Sequence, residues 1–330
     1  MHRNKLFHYS YTRFCLFVSI VLIGCLSVSA VSLAEKDTWT AKTPMPSARA
    51  GMHTATVNGK IYVIGGGDSS QKPPELASVE EYDVQTDQWT KKTDMSVSRV
   101  FFGTAAVNGK IYAIGGTGIL QVMAPALSVV EEYDPKMDTW TRKADMPAPR
   151  ADLTASVVDG KIYVIGGTEH VGVDALATVE VYDPQHNSWT RKADMPTPRL
   201  HHGSAVVNGK IYVFGGSSPE WPAPSGTVEE YDPVADTWSQ KAAMPTDRTG
   251  LWASALNGKI YVLGGIGWDG TAIEATEEYD PATDTWTKKA DIPTPRMLLT
   301  SEAVNGKIFV IGGAVADWSM TFNVVEEYTP

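Results

Sequence analysis

Six arginines recur at nearly regular intervals and are the first side chains whose type and spacing suggest chemistry. Each stands ten residues after a tryptophan and sixteen residues before a pair of glycines. A guanidinium group presents a planar fork of donors that fits a carboxylate, so six of them together would form a basic ring for acidic ligands. Alternatively, each bonds backbone carbonyls or a glutamate of its own repeat. They are Arg49, Arg99, Arg150, Arg199, Arg248 and Arg296.

Three tryptophans outside the repeated pattern lie in the variable stretches that follow the paired glycines: Trp221, Trp268 and Trp318. Exposed aromatic rings stack on the faces of sugars or anchor a peptide segment. The alternative is that the rings fold back over neighbouring strands. Residues that occur once are better candidates for function than residues that every repeat contains.

Glu302 and His202 are the candidates for proton or metal chemistry. Six residues after the arginine, five repeats have Ala or Ser, and only the last has a glutamate. Beside basic groups, Glu302 could act as an acid–base group, or it could make only a structural or water contact. His201 and His202 are adjacent and point to opposite sides of a strand, which is a weak metal signal. We expect His202 to belong to the ligand-binding face of the protein. We expect no metal and no cofactor.

These side chains depend on one repeated strand for their positions. Residues 61–64 are four consecutive apolar residues, which is typical of a strand buried on both faces. Asn58-Gly59 precedes the strand and favours a two-residue hairpin turn, and Gly65-Gly66 ends it. Five near-copies follow at intervals of about 50 residues, which indicates a repeat architecture.

Each repeat supplies four short strands, the third with a tyrosine and the fourth with a tryptophan seven residues later. The double glycine followed by the spaced Tyr and Trp resembles the kelch repeat over residues 35–330. The resemblance implies an all-β fold, a six-bladed kelch-type β-propeller of four-stranded blades. Trp39 has no Tyr before it and Tyr328 has no Trp after it, so the N-terminal strand is predicted to complete the last blade and close the ring.

One face of this propeller is predicted to carry the binding site. In a blade of four antiparallel strands, the loop between strands two and three lies on the same side as the links between blades. These loops vary in length, whereas the turns on the opposite side are nearly uniform. Variable loops on a rigid scaffold are where binding usually resides. In kelch adaptors, arginines at this point of the repeat commonly meet acidic peptide segments, which supports the ligand interpretation of the six.

The formal net charge of −10 argues against nucleic acid or an anionic membrane surface as the main partner. Residues 1–34 have a basic start, an apolar run and small residues near its end, which matches a secretory signal peptide. An uncleaved membrane anchor and a lipid anchor on Cys25 remain alternatives. We expect an extracytoplasmic protein whose exported part, residues 35–330, has no cysteine, because Cys15 and Cys25 both precede it.

The function expected from these features is a non-catalytic scaffold, a monomer that binds a protein segment or a glycan. Exported sialic-acid mutarotases are also six-bladed kelch proteins, so the alternative is a sugar isomerase that uses Glu302 and arginines. Copper oxidases with kelch-like propellers need a cysteine crosslinked to a tyrosine, which excludes them for residues 35–330. A ubiquitin-ligase adaptor would usually join the propeller to a further domain, and the signal peptide also argues against one.

Overall fold

The computed structural model describes residues 36–72, 74–217 and 223–330, and every regular element in those ranges is a β-strand. The strands are β1 (Thr38–Ala41), β2 (His53–Val57), β3 (Lys60–Ile64), β4 (Val79–Asp83), β5 (Gln88–Lys92), β6 (Gly103–Val107), β7 (Lys110–Ile114), β8 (Val130–Asp134), β9 (Thr139–Arg142), β10 (Thr154–Val158), β11 (Lys161–Ile165), β12 (Val179–Asp183), β13 (Ser188–Arg191), β14 (Gly203–Val207), β15 (Lys210–Phe214), β16 (Val228–Asp232), β17 (Thr237–Lys241), β18 (Trp252–Leu256), β19 (Lys259–Leu263), β20 (Glu277–Asp280), β21 (Thr285–Lys288), β22 (Thr300–Val304), β23 (Lys307–Ile311) and β24 (Val325–Thr329).

The strands form six antiparallel sheets of four strands each, which are the blades of a propeller. Blades 1 to 5 each take four consecutive strands, beginning with β2, β6, β10, β14 and β18. Blade 6 has the order β1-β24-β23-β22, and Trp39 of β1 pairs with Tyr328 of β24. The predicted six-bladed, all-β fold is therefore confirmed, and the N-terminal strand completes the last blade.

The local sequence explains each hairpin and each buried strand. Asn58 and Gly59 have φ angles of 52° and 74°, which a type I′ turn requires. The strand that follows is buried on both faces because neighbouring blades cover it. Ile61 and Val63, for example, pack in one cluster with Phe309 of blade 6.

The repeated Tyr and Trp join neighbouring blades. Tyr82 is fully buried and its ring centroid lies 4.8 Å from that of Trp89. The indole N–H of Trp89 donates a 3.0 Å hydrogen bond to the carbonyl of Thr43, in the link that precedes blade 1. In the same way Trp39 donates to the carbonyl of Ala290, in the link that follows blade 5. These residues are interior anchors, as their presence in every repeat indicates.

The loops between second and third strands share one face with the links between blades, as predicted. In blade 1, Ala50 of the link forms a β-bridge with Gly67 of the loop. We call this side the loop face. No helix among the described residues is long and apolar enough to cross a membrane.

Candidate functional site

The loop face contains an open cleft of about 640 Å³, here called the loop-face cleft. Its walls come from the loops of blades 1, 2, 3, 5 and 6, including Leu120, Val122 and Trp318. Its floor comes from the inter-blade links, including Phe101 and Leu298. The volume is typical of a ligand site, and the lining is predominantly apolar.

At the cleft floor, one residue from each inter-blade link contributes to a narrow constriction around the propeller axis, which we call the neck. All six stand two residues after a repeated arginine, and all have positive φ angles between 52° and 65°. Such angles strain side chains other than glycine. The neck residues are Gly51, Phe101, Asp152, His201, Gly250 and Leu298.

Backbone hydrogen bonds connect the neck from blade to blade. The amide of Phe101 donates to the carbonyl of Gly51 at 3.0 Å, and that of Asp152 donates to Phe101 at 2.8 Å. On the other side, Leu298 donates to Gly250 at 2.8 Å and Gly51 donates to Leu298 at 3.0 Å. The left-handed conformation turns the link so that its amide reaches the preceding link, and the amides of at least five of the six neck residues make this hydrogen bond.

Two neck residues are bulky despite this conformation. Phe101 has φ 57° and Leu298 has φ 52°. A bulky side chain in the left-handed region costs about 1–2 kcal/mol relative to the right-handed region. Strain of this kind persists where the surroundings enforce it and is concentrated at binding and catalytic sites. Both side chains line the cleft floor, so the strain coincides with the cavity.

Phe101 is the centre of an aromatic cluster on that floor. Its ring centroid lies 5.4 Å from His201 and 5.9 Å from Trp318, both edge-on. A Cβ atom added to Gly51 would lie 2.8 Å from a carbon of the Phe101 ring, so the ring rests on the glycine backbone. The glycine therefore leaves the space that this aromatic ring fills.

Asp152 and His201 form a polar contact in the same ring of residues. Nε2 of His201 lies 2.7 Å from Oδ1 of Asp152. The Asp152 side chain is fully buried, and 14% of the His201 side chain is exposed. The contact joins blades 3 and 4 and places an imidazole edge beside the Phe101 ring, where a ligand in the cleft would touch it.

The six repeated arginines lie inside the blades and are at most 2% exposed. Arg150 is typical: one nitrogen donates to the carbonyl of Thr178 at 3.1 Å, and another donates to Glu180 at 2.6 Å. Burial lowers the pKa of Arg150 to about 10, against the opposing effect of Glu180. The ion pairs are Arg49–Glu80, Arg99–Glu131, Arg150–Glu180, Arg199–Glu229, Arg248–Glu277 and Arg296–Glu326.

These contacts correct the expectation of an exposed basic ring. Each arginine fastens the link to the third strand of its own blade through its paired glutamate, which is the structural alternative. Spacing alone places a residue along the strand path, but it does not say whether the side chain turns outward or inward.

His202 also lies in the interior, at 4% exposure. Its ring packs against Gly166 of blade 3, where an added Cβ would lie 2.7 Å from ring carbon Cε1. Its Nε2 lies 3.1 Å from Oγ1 of Thr154. Burial lowers the pKa of His202 to about 3, so the ring is neutral at pH 7. His202 fills a core position and does not reach the loop-face cleft.

The three loop tryptophans considered from the sequence differ in position. Trp318 lines the loop-face cleft and contacts Phe101. Trp268 is 68% exposed, and its N–H donates a 3.1 Å hydrogen bond to Asp247. Trp221 lies outside the described residues. Among the described residues, no group of three or more His, Cys, Asp or Glu is arranged to hold a metal ion.

Glu302 lies in a second cavity, of about 280 Å³, which we call the axial cavity. The inner strands of the blades line it, mainly with Thr, Ser, Ala and Gly. The carboxylate accepts a 2.9 Å hydrogen bond from Oγ1 of Thr56. Glu302 is partly exposed to the axial cavity, and desolvation inside the propeller raises the pKa of its carboxyl group. Its observed neighbours are hydroxyl groups, not the arginines considered from the sequence.

Sequence reasoning did not identify Phe101 and Leu298 as site residues. A signal was available, because the position two residues after the arginine is Gly in two of the six repeats. A glycine at a repeated position indicates a positive φ angle, and the bulky residues at the same position in other repeats then mark strain.

Known proteins support the kelch assignment. A family model described as the KLHDC2/KLHL20/DRC7 kelch-repeats domain matches residues 26–194 and 104–313. Mouse Kelch-like protein 35 is 26% identical over 136 residues, which is 41% of this chain and 22% of that protein. Human Kelch repeat and BTB domain-containing protein 12 is 36% identical over 148 residues, which is 40% of this chain and 24% of that protein.

The chain therefore spans about a quarter of the length of these relatives. Among solved structures, that of YjhT matches with a TM-score of 0.74 and 18% identity, covering 85% of this chain and 95% of YjhT. At this identity the match shows a shared fold. The family match extends over more than half of the sequence, and the chain belongs to the kelch-repeat family.

Proposed function

We propose that this protein is an exported, monomeric binding scaffold that holds a protein segment in the loop-face cleft through an apolar side chain. Kelch propellers are scaffolds typical of protein binding. The observation that carries the proposal is the position of the cleft. It lies over the strained neck, and Phe101, Leu298 and Trp318 offer apolar surface at its floor and wall.

The rim of the cleft adds to the apolar surface available to a partner. Ile119, Val122 and Met123 of blade 2 are 52%, 69% and 62% exposed, and Met320 of blade 6 is 51% exposed. Exposed apolar side chains grouped around a cavity mark interaction sites. Aromatic residues in such pockets supply most of the binding energy, so Phe101 and Trp318 are the proposed anchors.

The charge of the loop face suggests the rest of the partner's chemistry. The six second-to-third-strand loops contain one basic residue, Lys72. Their acidic residues are Asp68, Glu75, Glu169, Asp174, Glu220, Asp269, Glu274 and Asp317. Opposite charges on two partners speed their encounter and set specificity. The proposed ligand is therefore a peptide segment with an apolar side chain flanked by Lys or Arg. An exposed ring of arginines would instead have favoured an acidic segment.

A displayed library of random peptides tests this proposal. We expect enriched sequences to combine an aromatic or large aliphatic residue with basic neighbours, and to bind more weakly as salt rises. Trp318→Ala should weaken binding of the enriched peptides by at least about tenfold, as expected for an anchor. Val234→Ala is the matched control, because Val234 is 93% exposed in the turn between β16 and β17 on the opposite face.

Two results would contradict the proposal: a library without binders, or binders that tolerate Trp318→Ala. A glycan array then tests the carbohydrate alternative with Trp268→Ala, because Trp268 is the most exposed aromatic ring among the described residues. The sugar-isomerase alternative is less favoured, since no described residue lining the axial cavity is an arginine that could hold a sugar carboxylate beside Glu302.

The proposed export rests on residues 1–34. N-terminal sequencing of protein from separated cell fractions tests it directly. Signal cleavage predicts an extracytoplasmic product that begins near Glu35. A lipid anchor would instead leave Cys25 as the first residue, and a membrane anchor would leave the N-terminus intact.

A further inference from the structure

The axial cavity is distinct from the loop-face cleft, and the two share no lining residue. It lies along the inner strands, on the far side of the neck from the cleft. Its volume of about 280 Å³ would hold about nine waters at ~30 Å³ each, or one small organic molecule. Gly103 in β6 and Gly203 in β14 have no side chain, so the inner strands of these two blades leave space near the axis. Gly203 lines the cavity directly.

The only carboxylate lining this cavity among the described residues has no described cationic partner. Glu302 accepts a 2.9 Å hydrogen bond from Oγ1 of Thr56. No ion pair between described residues includes Glu302, whereas the buried glutamates of the blades pair with an arginine or a lysine. Partial burial of a carboxylate without a counter-ion is unfavourable, and a bound cation would reduce that cost.

The remaining lining suits a cation with N–H groups. Hydroxyl oxygens accept hydrogen bonds from such groups, and an aromatic face attracts positive charge. Trp252 lines the end of the cavity nearest the neck. The lining hydroxyl residues are Thr54, Thr104, Thr154, Ser204, Ser254 and Ser301.

No charge in the lining opposes a bound cation. Besides Glu302, the titratable residue in the described lining is His53. Burial lowers the pKa of His53 to about 3, and its ring lies edge-on to Trp252 at 4.7 Å. His53 is therefore neutral at pH 7, and Glu302 determines the charge of the cavity lining.

We propose that the axial cavity binds a small organic ammonium ion, with Glu302 as its counter-ion. The hydroxyl groups accept hydrogen bonds from the N–H groups of the ligand, and Trp252 supplies an aromatic wall. This site is independent of the proposed function, because the cleft and the axial cavity have separate linings.

Isothermal titration of the full propeller at pH 8 tests the site with methylammonium, ethanolammonium and tetramethylammonium ions, and with potassium at equal ionic strength. We expect methylammonium and ethanolammonium, which carry N–H groups, to bind, and tetramethylammonium, which has none, to bind more weakly. Potassium should bind at least tenfold more weakly than methylammonium. Glu302→Ala should weaken ammonium binding by at least tenfold. That substitution is compatible with the fold, because Ala55, Ala105 and Ala205 occupy the equivalent position in three other blades.

Glu169→Ala is the matched control, because it removes the same charge from an exposed position outside the cavity. It should leave ammonium binding unchanged. The proposal is overturned if no ammonium ion binds at concentrations up to about 100 mM, far above a millimolar dissociation constant. It is also overturned if potassium binds equally well, or if Glu302→Ala binds like the unaltered protein. Loss of peptide binding at the loop face would leave these results unaffected.

Discussion

The phenol of Tyr328 donates a 2.6 Å hydrogen bond to Oδ1 of Asp37, although the two residues are 291 positions apart. In blade 1 the same bond joins Tyr82 to Asp87, five positions away. Asp37 also accepts a 2.8 Å hydrogen bond from the amide of Ala290, next to blade 5. One carboxylate from the beginning of the described chain thus links its last strand to the preceding blade, which closes the ring.

Asp37→Ala should therefore lower the free energy of unfolding as much as Asp87→Ala does. Asp87 is the equivalent residue of blade 1, whose four strands are consecutive in the chain. We expect a loss of about 1 kcal/mol, because the hydrogen bonds of Asp37 are charge-assisted but solvent-accessible. That loss corresponds to a fall in Tm of about 2–4 °C. Urea denaturation of Asp37→Ala and Asp87→Ala measures both changes.

Equal losses for the two variants indicate that the ring is closed as tightly at blade 6 as elsewhere. A loss limited to Asp87→Ala would show that the closure contributes little to stability. It would argue against the role given to the N-terminal strand.

The fold could be predicted from the sequence because the six repeats of the chain can be compared with one another. Six copies of one pattern separate residues that the blade requires from residues that vary. The absence of a Tyr before Trp39 and of a Trp after Tyr328 predicted the pairing of β1 with β24. Such pairing follows from strand order and spacing alone.

The site was less predictable, since side-chain direction depends on tertiary packing. Arg150 has the spacing expected for a member of the basic ring, but its guanidinium turns inward to Glu180. His202 follows a neck residue, yet it fills a core position opposite Gly166. The contact between Phe101 and Trp318 joins loops of different blades, and no local pattern encodes it.

Arg150→Met should destabilise the protein strongly while leaving the surface unchanged. The substitution leaves Glu180 buried without its partner, and breaking a buried ion pair in this way costs about 3–5 kcal/mol. Arg191→Met is the matched control, because Arg191 pairs with Asp194 at 2.5 Å with both side chains about half exposed. That variant should lose less than about 1 kcal/mol. Equal losses in urea denaturation would contradict the fastening role of the repeated arginines.

Acid should destabilise the propeller through its buried histidines. Burial lowers the pKa of His53 and His202 to about 3 in the folded state, below the ordinary value of 6.5. Between those values the unfolded chain binds protons that the folded protein does not bind. The stability contributed by these neutral rings is therefore complete above pH 6.5 and is lost as the pH falls towards 3. Each histidine should contribute a slope of about 1.4 kcal/mol per pH unit within that window.

His202→Leu should remove one of these two slopes, and it should fold because Leu153, Leu251 and Leu299 occupy the equivalent core position. Urea denaturation between pH 7 and 5 measures the effect and avoids the titration of most carboxylates. Glu302 has the opposite effect on the pH dependence of stability. Because its pKa is raised in the folded state, the folded protein binds this proton at a higher pH than the unfolded chain does. The measurement should therefore be repeated with Glu302→Ala. His186→Leu is the control, because that side chain is 68% exposed; if it changes the slope as much as His202→Leu does, the assignment fails.

Gly51→Ala should disturb the loop-face cleft from beneath. Gly51 has φ 60°, and an added Cβ would lie 2.8 Å from the Phe101 ring. Gly59→Ala is a matched control, because Gly59 has φ 74° and its added Cβ would meet nothing within 4 Å. Both substitutions carry the cost of a left-handed alanine, about 1–2 kcal/mol. Only Gly51→Ala should also displace Phe101 and weaken the binding of peptides selected by the unaltered protein. Similar peptide affinities for the two variants would show that the Phe101 ring does not contribute to binding. The anchor would then be assigned to the cleft wall.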